Sequence, residues 1–233
     1  MRENGRAHGG VGFSAFGLSV GLCSVLAILW LAIPVFSREP LWLDQWTGWE
    51  GGAGQFSYPK EVAVAPDGTI YLVDTENHRI QVFSPDGAFL RQWGETGSDQ
   101  GQFISPSGIG IGADGLIYVT DTGNNRIQVF TPQGEFVHSW DSWADGLLSY
   151  PTEVAVATDA EGNVYVADTG NHRIQVFSQD GRLLRRWGHQ GSGEGEFDSP
   201  SGIALDDRGN VYVTDTGNNR VQVFTHLGEY LYQ

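Results

Sequence analysis

A ten-residue pattern that begins with Asp-Thr occurs four times in this chain, and each copy starts 47 residues after the one before. The copies occupy residues 74–83, 121–130, 168–177 and 215–224, and the second reads DTGNNRIQVF. Self-similarity with a period of roughly 20–50 residues is typical of solenoids, propellers and other repeat arrays. The repeat therefore predicts one supersecondary unit that is built four times.

Each unit reads as four short β-strands. In the first copy these are EVAVA (61–65), TIYLVD (69–74), RIQVFS (79–84) and AFLRQWG (88–94). Their residues are largely β-branched or aromatic, and Asp-Gly, Asn or Pro separates one strand from the next. The 33 glycines, about twice the usual share, fit a turn-rich all-β protein. Four hairpin-linked strands per repeat predict one propeller blade per repeat.

The unit VAVAPDGTIYLVDTENHRIQVFSPDGAFLRQWG resembles an NHL repeat, whose name-giving triplet reads NHR or NNR here. All four copies share this resemblance, which covers residues 46–233. It implies an all-β NHL-type β-propeller, and NHL domains typically have six blades. The repeats fall at about residues 46–92, 93–139, 140–186 and 187–233.

The repeats also alternate in sequence, with a period of two repeats. Repeats 1 and 3 read SYPKEVAVA and SYPTEVAVA and carry NHR, whereas repeats 2 and 4 read SPSGIGIG and SPSGIALD and carry NNR. The full unit is therefore a pair of blades. Repeat 3 also changes two loops, TDAEGN and WDSWADGLLSYP, and changed loops are where function tends to enter a repeat protein.

The ends of the repeat region bear on ring size. LWLDQW (41–46) resembles the fourth strand of a blade, and the last repeat already begins a fourth strand of its own at EYLYQ (229–233). Propellers commonly close with an N-terminal strand in the last blade, which removes exposed edges. We expect four blades of a six-bladed ring in a C-terminally truncated chain. A true four-bladed ring and an assembly of partial rings remain as alternatives.

The first 40 residues differ in kind from the repeats. Residues 11–36 contain no charged residue and are long enough to cross a bilayer as a helix. We expect a short cytoplasmic tail (1–10), a transmembrane anchor or signal helix (11–36), and a linker with the first outer strand (37–45). Arg2 and Arg6 precede the apolar segment, which favours a single-pass protein with an extracytoplasmic propeller. Secretion after signal cleavage is the alternative.

Charge and cysteine content exclude several classes of function. The chain has a net charge of −15; residues 41–233 contain 26 Asp and Glu against 10 Lys and Arg, and no basic stripe occurs among them. Such a surface repels phosphate backbones, so we expect no nucleic-acid partner, although some NHL domains bind RNA. The single cysteine, Cys23, excludes an intrachain disulfide and a cysteine-based zinc site.

Every repeat pairs an aspartate with an arginine five residues later. An arginine at the start of a covered middle strand loses water and needs an acceptor, and the aspartate that ends the preceding strand is the nearest one. Because the pair recurs in every blade, we interpret it as structural. The turn between them is expected to place an asparagine in the left-handed position, at Asn77, Asn124, Asn171 and Asn218. The pairs are Asp74/Arg79, Asp121/Arg126, Asp168/Arg173 and Asp215/Arg220.

Candidate ligand-binding residues come from strand position. The innermost strand of each blade lines the channel, and the residues at its start ring one mouth of the propeller. These residues differ between blades, as recognition residues should, although a solvated rim is the plainer interpretation. They are Lys60, Glu61, Ser107, Thr152, Glu153 and Ser201. They favour a binding or scaffold module for a protein, peptide or glycan.

Catalytic and metal-binding signals are weak. No Ser-His-Asp, Cys-His or paired-acid arrangement has catalytic spacing, so no catalytic residue is assigned. His78 and His172 lie in turns of alternate blades and are interpreted as packing residues rather than zinc ligands. The turns TDAEGN and LDDRGN could hold calcium loosely, but we expect no cofactor. Because the family includes a metal-using lyase propeller, a lyase or lactonase with a metal on the channel axis is the alternative function.

Overall fold

A computed structural model of the chain describes residues 53–140, 148–156 and 162–233. The predicted tail, apolar segment and linker, 1–45, and the strand at 41–46 lie outside these residues. The described residues belong to one compact unit. No helix within them has the length and apolar character needed to cross a bilayer.

The described residues form four antiparallel sheets of four strands each, and strand order within each sheet follows chain order. Blade 1 contains β1 (Pro59–Val64), β2 (Ile70–Asp74), β3 (Arg79–Phe83) and β4 (Phe89–Trp93). Blade 2 contains β5 (Ile109–Ile111), β6 (Ile117–Asp121), β7 (Arg126–Phe130) and β8 (Phe136–Trp140). Blade 3 contains β9 (Glu153–Val156), β10 (Val164–Asp168), β11 (Arg173–Phe177) and β12 (Leu183–Trp187). Blade 4 contains β13 (Pro200–Leu205), β14 (Val211–Asp215), β15 (Arg220–Phe224) and β16 (Tyr230–Tyr232).

The core lies between successive blades. Since side chains alternate along a strand, each blade has two faces: we name the one that packs on the next blade the leading face and the other the trailing face. Between blades 1 and 2, the leading-face residues Tyr71 and Ile80 pack against the trailing-face residues Ile117 and Phe130. The same arrangement joins blade 2 to blade 3 and blade 3 to blade 4. The middle strands of blades 2 and 3 therefore lie between two neighbouring blades, which is why most residues of a strand such as RIQVF are apolar.

The four described blades do not close on themselves. Ile80, Ile127 and Ile174 occupy equivalent leading-face positions in blades 1 to 3, and each is fully buried. Val221, at the same position in blade 4, is 47% exposed. The inner strands contact one another in the order β1, β5, β9 and β13. A closed four-bladed ring would cover Val221 with blade 1, so this alternative does not describe the structure.

Candidate functional site

The Asp-Arg pair of each repeat belongs to a larger buried network. In blade 2 the Arg126 Nε donates to Asp121 Oδ2 at 2.7 Å. The same carboxylate accepts hydrogen bonds from the side chains of Asn124 and Gln128 and from the backbone N–H of Ile104. The Asp121 side chain is completely buried. Four donors therefore compensate the desolvation of this carboxylate.

The arginine and glutamine of the network also hold the segment that joins one blade to the next. We call these segments connectors, and the one before the first strand of blade 2 is residues 94–103. Arg126 donates to the backbone carbonyls of Ser98, Asp99 and Gln102. Gln128 donates to the Gln102 carbonyl and accepts from the Gly101 N–H. The network therefore positions loops rather than presenting a reactive group.

The other blades repeat this arrangement. The Arg Nε to Asp Oδ2 distance is 2.7 Å in every one of the four described blades. The glutamine two residues after the arginine is fully buried in each copy and donates to the same carboxylate. These glutamines, Gln81, Gln128, Gln175 and Gln222, were not singled out from the sequence, although RIQVF or RVQVF repeats them four times.

The turn between the aspartate and the arginine differs from the sequence-based prediction. Each turn is a 3₁₀ helix of three residues, Thr122–Asn124 in blade 2, and Asn124 is its last residue. The left-handed residue is the next one, Asn125, with φ of 54°. The prediction for Asn77, Asn124, Asn171 and Asn218 is therefore wrong, because their side chains donate to the aspartate from a helical backbone. The left-handed residues are His78, Asn125, His172 and Asn219.

These left-handed residues connect neighbouring blades. The Asn125 Oδ1 accepts a hydrogen bond from the backbone N–H of Tyr150 in blade 3, at 2.7 Å. In the alternate blades, His78 Nδ1 accepts from Ser105 N–H and His172 Nδ1 accepts from Ser199 N–H. Both histidines therefore act as inter-blade hydrogen-bond acceptors. Among the described residues no three His, Cys, Asp or Glu side chains are grouped so that they could hold a metal ion.

Three of the predicted rim residues form hydroxyl contacts between blades. Ser107 is buried, contacts Thr122 Oγ1 at 2.5 Å and donates to the Thr152 carbonyl of blade 3 at 2.7 Å. Thr152 in turn donates to the Ser201 carbonyl of blade 4 at 2.9 Å. Ser201 contacts Thr216 Oγ1 at 2.5 Å. The structure therefore brings Ser107, Thr152 and Ser201 into one chain of contacts along the inner strands.

The other rim residues lie at the same end of the inner strands. The Glu61 carboxylate accepts the backbone N–H of Ile109 in blade 2 at 2.7 Å. Lys60 is half-buried, and its Nζ lies 5.8 Å from the centre of the Tyr58 ring. Glu153 begins β9, and its side chain lies outside the described part of the structure. Blade 1 thus differs from the others by placing a cation where they place a hydroxyl.

Two exposed tyrosines mark this end of the molecule, which we call the connector end because the connectors and the 3₁₀ turns lie there. Tyr58 is 65% exposed and directly precedes β1. Tyr150 is 55% exposed and is separated from β9 by Pro151 and Thr152. Their backbone φ values are 51° and 50°, a left-handed conformation that is uncommon for bulky residues. Neither tyrosine was predicted from the sequence as a site residue, although the SYP triplet occurs only in repeats 1 and 3.

The connector end is acidic. In the last connector, Glu196 Oε2 accepts the Gly193 N–H at 2.8 Å, and this hydrogen bond lowers the pKa of Glu196. The Glu196 Oε1 also lies 3.3 Å from His189 Nε2. Exposed carboxylates at this end are Glu76, Glu95, Asp99, Glu194 and Asp198. Cationic or hydrogen-bonding ligands are therefore favoured there over anionic ones.

An array of four-stranded blades whose inner strands lie side by side defines a β-propeller. The sequence pattern of the NHL repeat matches residues 56–83, 103–130, 148–177 and 197–224, one match per blade. The chain belongs to the NHL repeat family. The resemblance inferred from the repeat unit is thereby confirmed.

Several solved structures are similar to this fold at low sequence identity. A streptogramin B lyase structure aligns with a TM-score of 0.59 and 21% identity, over 74% of this chain and 53% of that protein. An inactive variant of virginiamycin B lyase from Staphylococcus aureus with Quinupristin aligns with a TM-score of 0.60 and 18% identity, over 79% of this chain and 56% of that chain. Hydrazine synthase from Kuenenia stuttgartiensis aligns with a TM-score of 0.58 and 14% identity, over 79% of this chain and 51% of that chain.

This chain spans about half the length of each of those proteins. At such identities the likeness concerns the fold alone. No curated protein sequence matches this chain.

Proposed function

We propose that this chain is an extracytoplasmic, membrane-anchored NHL propeller that binds a protein, peptide or glycan at its connector end. The observation that carries the proposal is the pair of exposed tyrosines, Tyr58 and Tyr150, on one end of the propeller. Tyrosine offers a large, stiff, amphipathic surface at low entropic cost, which is why it is enriched in binding sites. Lys60 beside the Tyr58 ring adds a donor at the same place.

The repeated polar residues support this proposal by elimination. Asp121, Arg126 and Gln128 are occupied by one another and by connector carbonyls, and blades 1 and 4 repeat these contacts. Chemistry that recurs identically in every blade serves architecture. Recognition therefore falls to residues that differ between blades, which on the connector end are the tyrosines, Lys60 and Glu61.

Membrane anchoring and ring size complete the proposal. We propose that residues 11–36 form a helix that anchors the propeller outside the cytoplasm, because this segment has no charged residue and follows Arg2 and Arg6. Deleting residues 1–36 should release the chain from the membrane pellet. The ring of six blades that the family resemblance implies stays a prediction. Its closure would need blades beyond the four that the described residues supply.

The binding proposal is tested with glycan and peptide arrays. The full chain and a Tyr58→Ala/Tyr150→Ala variant are labelled and compared on the same arrays. The expected result is a defined set of wild-type ligands whose affinity falls at least about tenfold in the double variant, as for aromatic anchors in interfaces. Leu227→Ala is the matched control, because Leu227 is equally exposed but lies in a turn at the opposite end. Retention of all ligands by the double variant would refute this site.

The lyase or lactonase alternative stays a prediction and has its own test. It would need ligands that converge on the channel axis, and the likeness to lyases concerns the fold alone. Elemental analysis of the purified chain after dialysis gives the answer. A stoichiometric metal would favour the enzyme over a pure scaffold.

A further inference from the structure

His78 and His172 occupy equivalent positions in blades 1 and 3, and each makes the same hydrogen bond to the next blade. His78 Nδ1 accepts the Ser105 N–H at 2.9 Å, and His172 Nδ1 accepts the Ser199 N–H at 3.0 Å. A neutral imidazole has one donor and one acceptor nitrogen, so the proton of each ring is at Nε2. Protonation of Nδ1 turns the acceptor into a donor, so the imidazolium form excludes this hydrogen bond.

The two histidines differ in the residue that precedes the donor serine. In blade 4 this residue is Asp198, whose Oδ1 lies 3.6 Å from His172 Nδ1. In blade 2 it is Ile104, whose side chain cannot accept a hydrogen bond. The backbone is held alike at both positions, since each residue donates its N–H to the buried aspartate of its own blade. A protonated His172 therefore has a carboxylate beside it, whereas a protonated His78 has a methyl group.

Other titratable side chains near His78 do not replace that carboxylate. Within the described residues the ion pairs that include a histidine are those of His172 and His189. Glu76, on the same turn as His78, is exposed and belongs to none of them. The aspartates and arginines of the buried networks are paired with each other in all four described blades. The other charged or titratable side chains on neighbouring elements are Tyr58, Lys60, Glu95 and Asp99 around His78, and Tyr150, His189, Glu194 and Glu196 around His172.

The 3₁₀ turn of blade 1 also has fewer hydrogen bonds to the next blade than the turn of blade 3. In blade 3, Thr169 Oγ1 donates to the Pro200 carbonyl of blade 4 at 2.6 Å, in addition to the bond of His172. The equivalent Thr75 Oγ1 of blade 1 has no hydrogen-bond partner within the described residues. In that part of the chain, His78 is therefore the one side chain of its turn that is hydrogen-bonded to blade 2.

We propose that the junction between blades 1 and 2 is acid-sensitive and that the equivalent junction between blades 3 and 4 is acid-resistant. Histidine takes up its second proton between about pH 7.5 and pH 5.5. Above this range both histidines accept their serine N–H groups. Below it, His78 releases Ser105, because two N–H groups then face each other. His172 keeps its two blades together, because its Nδ1–H can donate to Asp198 instead.

Release at His78 frees one side of the segment around Ser105 and leaves the other side bound. Ile104 stays hydrogen-bonded within blade 2, since its N–H donates to Asp121 and its carbonyl accepts the Gly123 N–H. The apolar packing between blades 1 and 2 also remains. Mild acid therefore opens the connector end locally between these two blades, and both blades stay folded.

Amide hydrogen exchange, measured by NMR on the full chain in detergent, tests the proposal. Exchange rates at about pH 7.5 and about pH 5 are compared with those of an unstructured peptide at the same pH, which gives the protection of each amide. Protection of Ser105 should fall roughly tenfold or more between the two conditions, as for the loss of one hydrogen bond, and protection of Ser199 less than about twofold. Gly123 is the internal reference and should keep its protection, because its bond to the Ile104 carbonyl involves no histidine.

An exchange of side chains between the two junctions isolates the effect of the carboxylate. Ile104→Asp gives His78 the partner that its counterpart in blade 3 has, so protection of Ser105 should become insensitive to acid. Asp198→Ile removes that partner in blade 4, so protection of Ser199 should fall in acid as that of Ser105 does in the wild type. Both substitutions place a residue that the chain already carries at the equivalent position.

His78→Asn removes the titrating group and keeps an acceptor. Asn125 in blade 2 shows that an asparagine at this position accepts the N–H of the next blade. Ser105 should therefore stay protected in this variant at both pH values. Unchanged protection of Ser105 in the wild type at about pH 5 would overturn the proposal, as would an equal acid-dependent loss in His78→Asn. Equal losses at Ser105 and Ser199 in the wild type, a comparison within one sample that needs no variant to fold, would overturn the role of Asp198.

Discussion

Asn125 ends the 3₁₀ turn of blade 2 in a left-handed conformation and accepts the backbone N–H of Tyr150 in blade 3 at 2.7 Å. One residue therefore reverses the chain within its blade and fixes the position of the next blade. His78 and His172 do the same with serine as donor.

Asn125 should contribute to stability in two separable ways. Asn125→Gly keeps the left-handed backbone and removes only the inter-blade bond, so we expect a loss of about 1 kcal/mol. Asn125→Ala removes the bond and also strains the backbone, so its loss should be larger by about 1 kcal/mol. Chemical denaturation of both variants measures the difference. Equal losses would contradict the left-handed assignment.

Removing the charge of a buried aspartate should be strongly destabilising. Asp121→Asn keeps the shape but leaves Arg126 without its carboxylate and turns one acceptor into a donor facing Gln128 and Asn124. The expected loss is about 3–5 kcal/mol of unfolding free energy. Asp114→Asn, on an exposed turn, serves as the control and should cost less than about 1 kcal/mol. Similar midpoints for the two variants would contradict the buried-network interpretation.

Thr75 and Thr122 occupy the same position in blades 1 and 2 but differ in partners. Thr122 Oγ1 bonds to Ser107 and to the Pro151 carbonyl. The buried Thr75 Oγ1 has no hydrogen-bond partner within the described residues, and Lys60 stands at the position of the serine. Thr122→Val should cost about 1–3 kcal/mol, and Thr75→Val should be neutral or stabilising. Thermal melts of the pair decide this, and a greater loss for Thr75→Val would refute it.

Two glycines with similar backbone angles allow the stability cost of a packing clash to be measured separately from the cost of backbone strain. Gly134 and Gly115 have φ of 89° and 78°. A Cβ on Gly134 would lie 2.7 Å from the Trp93 ring, whereas a Cβ on Gly115 would meet nothing within 4 Å. Both alanine variants should lose about 1 kcal/mol of unfolding free energy through backbone strain. Gly134→Ala should lose about a further 1–3 kcal/mol through overpacking. The difference in denaturant midpoints measures the contact between blades 1 and 2.

The last connector should respond to acid through Glu196. Because the hydrogen bond from Gly193 lowers the pKa of Glu196 in the folded state, the contact stabilises the connector above the ordinary glutamate pKa. That stabilisation is lost as the pH falls through the lowered value. Carboxyl-carbon NMR should show a Glu196 midpoint below the ordinary one, with faster Gly193 amide exchange at the acid end. In the Glu196→Gln variant, Gly193 amide exchange should no longer show this acid-dependent change. A wild-type Glu196 titration midpoint above the ordinary glutamate value would contradict the mechanism.

Repeat length and strand pattern predicted the blades well because both depend on local spacing. The predicted strands at 69–74 and 79–84 correspond to Ile70–Asp74 and Arg79–Phe83. The aspartate and arginine that the pattern brings opposite each other lie in register in the hairpin. Local pairing of this kind follows from a short turn between two strands.

Contacts between blades could not be predicted in the same way. Asn77 and His78 are adjacent, and only the neighbouring blade reveals that the second is the acceptor. The position of Asn77 beside Asp74 likewise depends on the 3₁₀ turn rather than on asparagine's preference for left-handed backbone. The exposure of Tyr58 and Tyr150 could not be predicted from the sequence because it depends on how the blades stack.

The alternation of His-Ser and Asn-Tyr contacts has a consequence for how this array can change length. Gain or loss of one blade would bring together two blades of the same type. A histidine acceptor would then face a tyrosine N–H, or an asparagine acceptor would face a serine N–H. Gain or loss of two blades leaves every junction as it was. Duplication in two-blade steps is therefore the path along which such a gene can grow or shrink without first breaking the protein.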